Sequence, residues 1–156
     1  MLRKIKNFFD THLAPDARKT QNPEQSLHIA CAALMLEVAR ADFEISAQEK
    51  TKIRKQLENV LKLPPTLVDE LIDLAETEVE EAVSLHQFTS LIHAHYSAEE
   101  KVHILFLLWK IAYSENQLDK YEEALIRKIS DLLYISHKDF IQTKQRAEQE
   151  TATNKR

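Results

Sequence analysis

Apolar side chains recur along this chain at helical spacing, and short polar clusters that read as helix caps break up the runs. Leu27, Cys31, Leu34, Met35 and Val38 fall on one helical face, and Val102, Leu105, Phe106, Trp109 and Tyr113 on another. From Ile104 to Leu108 every residue is apolar, which predicts a central helix buried on all sides. Helix starts are marked by a cap residue followed three positions on by an acid or amide. In that pairing each side chain satisfies a backbone N–H that the first turn leaves open. Asn22-Pro23-x-Gln25, Ser46-x-x-Glu49, Thr66-x-x-Asp69 behind Pro64-Pro65, Ser84-x-x-Gln87, Ser97-x-x-Glu100, Asp119-x-x-Glu122 and Ser136-x-x-Asp139 have this form. With an apolar-faced segment over residues 2–13, they predict about seven or eight helices joined by short links.

Two stretches align with each other. Ala39-Arg-Ala-Asp42-Phe-Glu44-Ile-Ser46-x-x-Glu49, running on to Ile53-Arg-Lys, matches Ala112-Tyr-Ser-Glu115-Asn-Gln117-Leu-Asp119-x-x-Glu122, running on to Ile126-Arg-Lys. With one residue deleted, Leu57-x-x-Val60-Leu61-x-Leu63 then answers Ile129-x-x-Leu132-Leu133-x-Ile135. Such a duplication predicts two helical hairpins packed about a pseudo-twofold, with their turns presented together. Glu37 and Lys110 are equivalent on that symmetry, and are expected to meet near its axis as a partly buried ion pair.

Composition sharpens the fold class. The chain has no glycine, so turns that need positive φ are unfavourable and β-hairpins are not expected. Hydrophobic residues make up 44% of it, enough for one sizeable core in 156 residues. The reading is an all-α, single-domain bundle built around two related helical hairpins. An N-terminal helix and linker occupy 1–21, the main helical domain 22–147, and a polar tail that frays 148–156.

The 21 basic and 25 acidic residues are interspersed, without the basic stripe of a nucleic-acid binder. Cys31 stands alone in an apolar run, so no disulfide framework exists and a reducing cytoplasm fits. No run reaches transmembrane length and no signal-peptide core opens the chain, so a soluble cytoplasmic protein is expected. Leu2, Ile5, Phe8 and Phe9 form one side of the first helix, with Arg3, Lys4 and Lys6 nearby. Docking on its own bundle, or on a second copy in a homodimer, is expected ahead of contact with an anionic membrane, because the segment is short and carries few charges.

The acidic turns are the candidate chemistry. Helix capping accounts for Ser46, Asp119, Glu49 and Glu122. Asp42 and Glu115 break the local rule, because they end helices where the dipole disfavours a carboxylate by about 0.3–1 kcal/mol, and do so at equivalent places. Together Asp42, Glu44, Glu49, Glu115, Asp119 and Glu122 form an oxygen-rich set suited to a hard divalent cation such as Ca²⁺, Mg²⁺ or Mn²⁺. Other motifs fail on spacing. Ala47 stands where an EF-hand needs glycine, and Glu100-x-x-His103 lacks the second copy of a di-iron site. With no phosphate loop, cysteine pair or nucleophile motif, no enzymatic activity and no organic cofactor are expected.

Leu36-Glu-Val-Ala-Arg-Ala-Asp42-Phe-Glu, Ala82-Val-Ser-Leu-His-Gln-Phe-Thr and Leu118-Asp-Lys-Tyr-Glu-Glu-x-Leu-Ile-Arg-Lys-Ile resemble the TerB-like family associated with tellurite resistance, over about Gln25 to Phe140. The resemblance implies an all-helical, non-enzymatic module of stress-response assemblies that acts through protein partners. It also implies an acidic surface for divalent metal, carried here by Asp42, Glu49, Glu115 and Glu122. Family members have Ala-Asp-Gly at both turns, whereas Phe43 and Asn116 hold the glycine positions here and Glu115 replaces the second aspartate. Asparagine adopts a left-handed cap readily and phenylalanine at a cost, so the first turn is expected to differ in shape. The functional expectation is a TerB-like module binding a divalent cation at its acidic turns. The alternative is a pure protein-protein interaction scaffold with no metal site.

Overall fold

The computed structural model describes the backbone of residues 2–13, 23–42, 47–80, 87–114 and 120–154, and the side chains of these apart from 2–6, 23, 39–42, 49, 75–80, 87, 153 and 154. Among the described residues there are eight α-helices and no strand. They are α1 (Leu2–His12), α2 (Pro23–Asp42), α3 (Ala47–Asn59), α4 (Pro65–Glu80), α5 (Gln87–His95), α6 (Ala98–Ala112), α7 (Lys120–Leu132) and α8 (His137–Asn154).

Local capping opens α4, α6 and α8. Glu100 N donates to Ser97 Oγ at 3.1 Å and Ser97 N to Glu100 Oε1 at 2.8 Å, the reciprocal pair that opens α6. Asp139 N donates to Ser136 Oγ at 3.1 Å ahead of α8. Helix α4 starts two residues earlier than a cap at Thr66 would place it. Pro65 is its first residue, and the N–H groups of Leu67 and Val68 donate to the Pro64 carbonyl, each at 3.1 Å. Proline suits that position because it has no N–H to leave unsatisfied.

Helix α5 is capped from a distance. Ser84 lies outside the described residues, and the N–H groups of Phe88 and Thr89 donate to the Glu37 carboxylate of α2 at 2.8 and 3.0 Å. Thr89 Oγ1 adds a third bond at 2.9 Å, and Glu37 is only 3% exposed. The ion pair expected between Glu37 and Lys110 therefore gives way to another arrangement, in which the Lys110 ammonium lies 5.7 Å from the centre of the Phe106 ring. Donors fixed at a helix N-terminus satisfy a buried carboxylate without the entropy needed to hold a flexible ammonium in place.

Helices α2 and α6 form the centre, every residue of Ile29–Val38 and Ile104–Trp109 being buried. Helix α2 packs against α6, α4, α7 and α5, while α6 packs against α8 and α7. Helix α1 lies over α5 and α4 and buries Phe8, Phe9 and Leu13, with the Phe8 ring edge-on to Phe88 at 5.7 Å. Each such phenylalanine contributes about 1.5–3 kcal/mol, so α1 belongs to the core. The stretch expected to fray from Glu148 is instead helical to Asn154. Ala147 is buried, and Tyr113 OH, at the end of α6, donates to Glu148 Oε1 at 2.6 Å. Burial first, then the Glu148 carboxylate, push the Tyr113 hydroxyl well above its usual range, and burial does the same to the Cys31 thiol. No helix among the described residues is long and apolar enough to cross a membrane.

Two corners share a backbone feature. Among the described residues, Lys62 and Tyr134 have positive φ, 58° in each case, and the sequence alignment pairs these two positions. One turns the chain from α3 into α4, the other from α7 into α8. At Tyr134 the turn is closed by Tyr134 N donating to Asp131 O at 3.1 Å and Ile135 N to Ser130 O at 3.0 Å. A side chain at such a φ costs about 1–2 kcal/mol, a cost that a chain without glycine carries at both places.

Candidate functional site

In the sequence, an acidic segment follows each of α2 and α6 and precedes α3 and α7. Of the six candidate cation ligands, Glu44, Glu115 and Asp119 lie outside the described residues, as do the side chains of Asp42 and Glu49. Glu122 is described. Its side chain is 13% exposed and accepts a hydrogen bond from Lys52 Nζ at 3.0 Å. Lys52 stands on the second turn of α3 and Glu122 on the first turn of α7, so their contact brings the N-terminal ends of these helices to one end of the domain. Among the described residues no group of three or more His, Cys, Asp or Glu side chains is arranged to hold a metal ion.

Behind the Lys52–Glu122 pair a cavity of about 160 Å³ opens between the hairpins. Met35 of α2 and Leu108 of α6 line it, as do Ile53 of α3 and Ile126 of α7. Each of these is a pair of equivalent positions when the sequence alignment is carried back along α2 and α6. Lys52 and Leu125 are a third such pair, and here the chemistry diverges, since one carries a cation and the other is apolar. Ile111 completes the apolar wall, and Tyr121 and Gln56 add polar groups. Gln56 is 6% exposed, and among the described residues its Nε2 has no hydrogen-bond partner.

A second polar cluster ties α2 to α6. Glu24 Oε1 lies 3.0 Å from His28 Nε2 and 3.3 Å from His103 Nε2, and His28 Nδ1 faces the Leu61 carbonyl at 2.9 Å. Burial raises the Glu24 carboxyl, but the hydrogen bonds and charge of His103 and His28 outweigh it and hold the group below its usual range. The Glu100-x-x-His103 spacing is thereby explained without a metal. Glu100 closes the α6 capping box and His103 turns to Glu24.

The family model of tellurite resistance protein TerB matches residues 28–145, a span from within α2 to within α8 that contains both hairpins and the whole cavity. The chain belongs to the TerB family. It is thus a helical module of the tellurite-resistance type. No curated protein and no solved structure matches it. Within this TerB domain, Lys52 and Gln56 are the site residues that sequence reasoning missed, and Glu37 is a packing residue whose partner it misassigned. The available signal for the first two was a pair of polar residues one turn apart, flanking Ile53 on the face of α3 that is otherwise apolar. For Glu37 it was an acid inside the uninterrupted apolar run Ile29–Val38, a place where a charge requires fixed partners.

Proposed function

We propose that this TerB domain is a non-catalytic stress-response module that binds a divalent cation between its two acidic turns and presents the cation-bound surface to protein partners. Asp42, Glu44, Glu49, Glu115, Asp119 and Glu122 would supply carboxylate oxygens only, the donor set of Ca²⁺, Mg²⁺ or Mn²⁺ rather than of a softer metal. The cation would neutralise the acids and cross-link the turns, with no bond made or broken. The observation that supports this reading most is the 3.0 Å Lys52–Glu122 contact, which puts the starts of α3 and α7 side by side and sets a positive charge against the one described acid of the set. A cation would compete with that ammonium.

The same lysine favours the second reading, a protein-protein scaffold in which Lys52 already neutralises Glu122 and the remaining acids serve as caps. Melting temperature against added cation separates the two. A cation that binds only the folded state stabilises it as RT ln(1 + [L]/Kd), about 2.7 kcal/mol at a hundredfold excess over Kd. The cation reading expects a saturable rise that Asp42→Asn with Glu115→Gln abolishes, while metal-free stability increases as repulsion is relieved. No rise at millimolar Ca²⁺, Mg²⁺ or Mn²⁺ leaves the scaffold.

A further inference from the structure

We propose that the cavity between the hairpins binds a small, neutral, largely apolar molecule carrying one hydrogen-bond acceptor, such as an aryl ketone, whose oxygen accepts from the Gln56 side-chain amide. The volume sets the size. At about 160 Å³ the cavity matches an engineered apolar cavity of about 150 Å³ that stays dry and takes up benzene. The wall sets the polarity, since Met35, Ile53, Leu108, Leu125 and Ile126 offer hydrocarbon or thioether surface. Gln56 sets the acceptor. Its Nε2 is buried without a hydrogen-bond partner among the described residues, and native proteins rarely leave such a group unpaired without reason. Neutrality follows from the mouth. Lys52 and Glu122 compensate each other at 3.0 Å, and a charged ligand would have to break that pair.

The site draws its walls from α2, α3, α6 and α7, so an occupant would fix the packing of one hairpin on the other. This inference does not rest on the cation reading: Glu122 at the mouth belongs to both sites, but the apolar wall residues and Gln56 are not among the acids of the turns.

The test uses the full chain and two probes of similar shape, acetophenone and ethylbenzene, which differ in the carbonyl acceptor. Amide proton–nitrogen spectra, including the Gln56 side-chain NH₂ signals, are followed as each probe is added. The expected result is saturable shifts confined to cavity residues, with acetophenone binding about fivefold more tightly, the contribution of one net hydrogen bond. Gln56→Leu should remove that preference while ethylbenzene still binds, and Ile126→Phe should fill the space and abolish binding of both. The spectra themselves report whether each variant remains folded, and Gln56→Leu keeps the test valid if Ile126→Phe does not. The proposal is overturned by an absence of saturable shifts up to the solubility of both probes. It is equally overturned by equal affinity of the two probes for the unsubstituted chain, or by a preference that survives Gln56→Leu.

Discussion

Helices α2 and α6 hold corresponding places, each central and each followed in the sequence by an acidic segment, yet they treat one equivalent charged position in opposite ways. On α2 the position is Glu37, buried and bonded to the first N–H groups of α5. On α6 it is Lys110, part-exposed over the Phe106 ring. The outer neighbours explain the difference. Helix α2 has α5 beside it, whose N-terminus presents open donors, whereas α6 is backed by α8. From α8 come Lys144, 5.5 Å from the centre of the Trp109 ring, and Arg146, 4.1 Å from that of Phe106. One half of the molecule is therefore pinned by a buried carboxylate and the other by cations on aromatic faces, which are individually weaker and more tolerant of change.

The largest expected effect comes from breaking the pinned half. Glu37→Ala leaves the Phe88 and Thr89 N–H groups buried without an acceptor and should lower the unfolding free energy by about 3 kcal/mol or more. Lys110→Ala, which removes a part-exposed cation–π contact, should cost no more than about 1 kcal/mol. Denaturant unfolding of both variants checks this, and equal losses would dissolve the contrast between the two helices.

The two left-handed corners offer the next largest effect. Lys62→Gly relieves a strained φ with little packing lost, and should stabilise by about 0.5–1 kcal/mol after the greater freedom of glycine in the unfolded chain is counted. Tyr134→Gly should gain less. Although Tyr134 is 80% exposed, its ring lies 4.8 Å from that of His93, a contact the variant gives up. A larger gain at Tyr134 than at Lys62, read from the same unfolding curves, would contradict this ranking.

How much of this was legible in the sequence depends on how far apart the partners lie. Starts of α6 and α8 were readable because Ser97 and Glu100, or Ser136 and Asp139, are one turn apart and act within their own helix. Thr66 misled because Pro64-Pro65 sets the start of α4 by itself, the Pro64 carbonyl doing what a side chain does elsewhere. Glu37 and Lys52 find partners 51 and 70 residues away, where local spacing carries no signal. The alignment did pair Met35 with Leu108 and Ile53 with Ile126, which line one cavity. It could not tell that Glu37 and Lys110 would acquire different surroundings, because equivalence along the chain does not make α5 equivalent to α8. Of the candidate site, the sequence displays the acids themselves; their convergence is a tertiary property.

Smaller effects sharpen the comparison at the turns. Lys52→Met should change metal-free stability by about 1 kcal/mol or less, as expected for a partly exposed pair. On the cation reading it should also enlarge the rise in melting temperature with Mn²⁺, since the competing ammonium is gone. An unchanged or smaller rise would separate Lys52 from the cation site.

The smallest effect is that of pH at Glu24. The folded state holds this carboxyl below its ordinary value of 4.5, so its contribution is fully present above that pH and is lost as pH falls below it. With a side chain 52% exposed the contribution is slight, and Glu24→Gln should flatten the acid limb of the stability profile without moving the plateau near neutral pH. A variant whose acid limb overlays that of the unsubstituted chain would remove Glu24 from the link between α2 and α6.

A divalent cation shared by the two turns is tested most directly by paramagnetic broadening with substoichiometric Mn²⁺. Amide signals at the start of α3 (residues 47–50) and the start of α7 (residues 120–122) should broaden together. Those at Lys62 and Tyr134, a helix length of about 20 Å away, should broaden least, and Asp42→Asn with Glu115→Gln should restore all of them. Broadening confined to one turn, or none at either, would contradict a shared cation site.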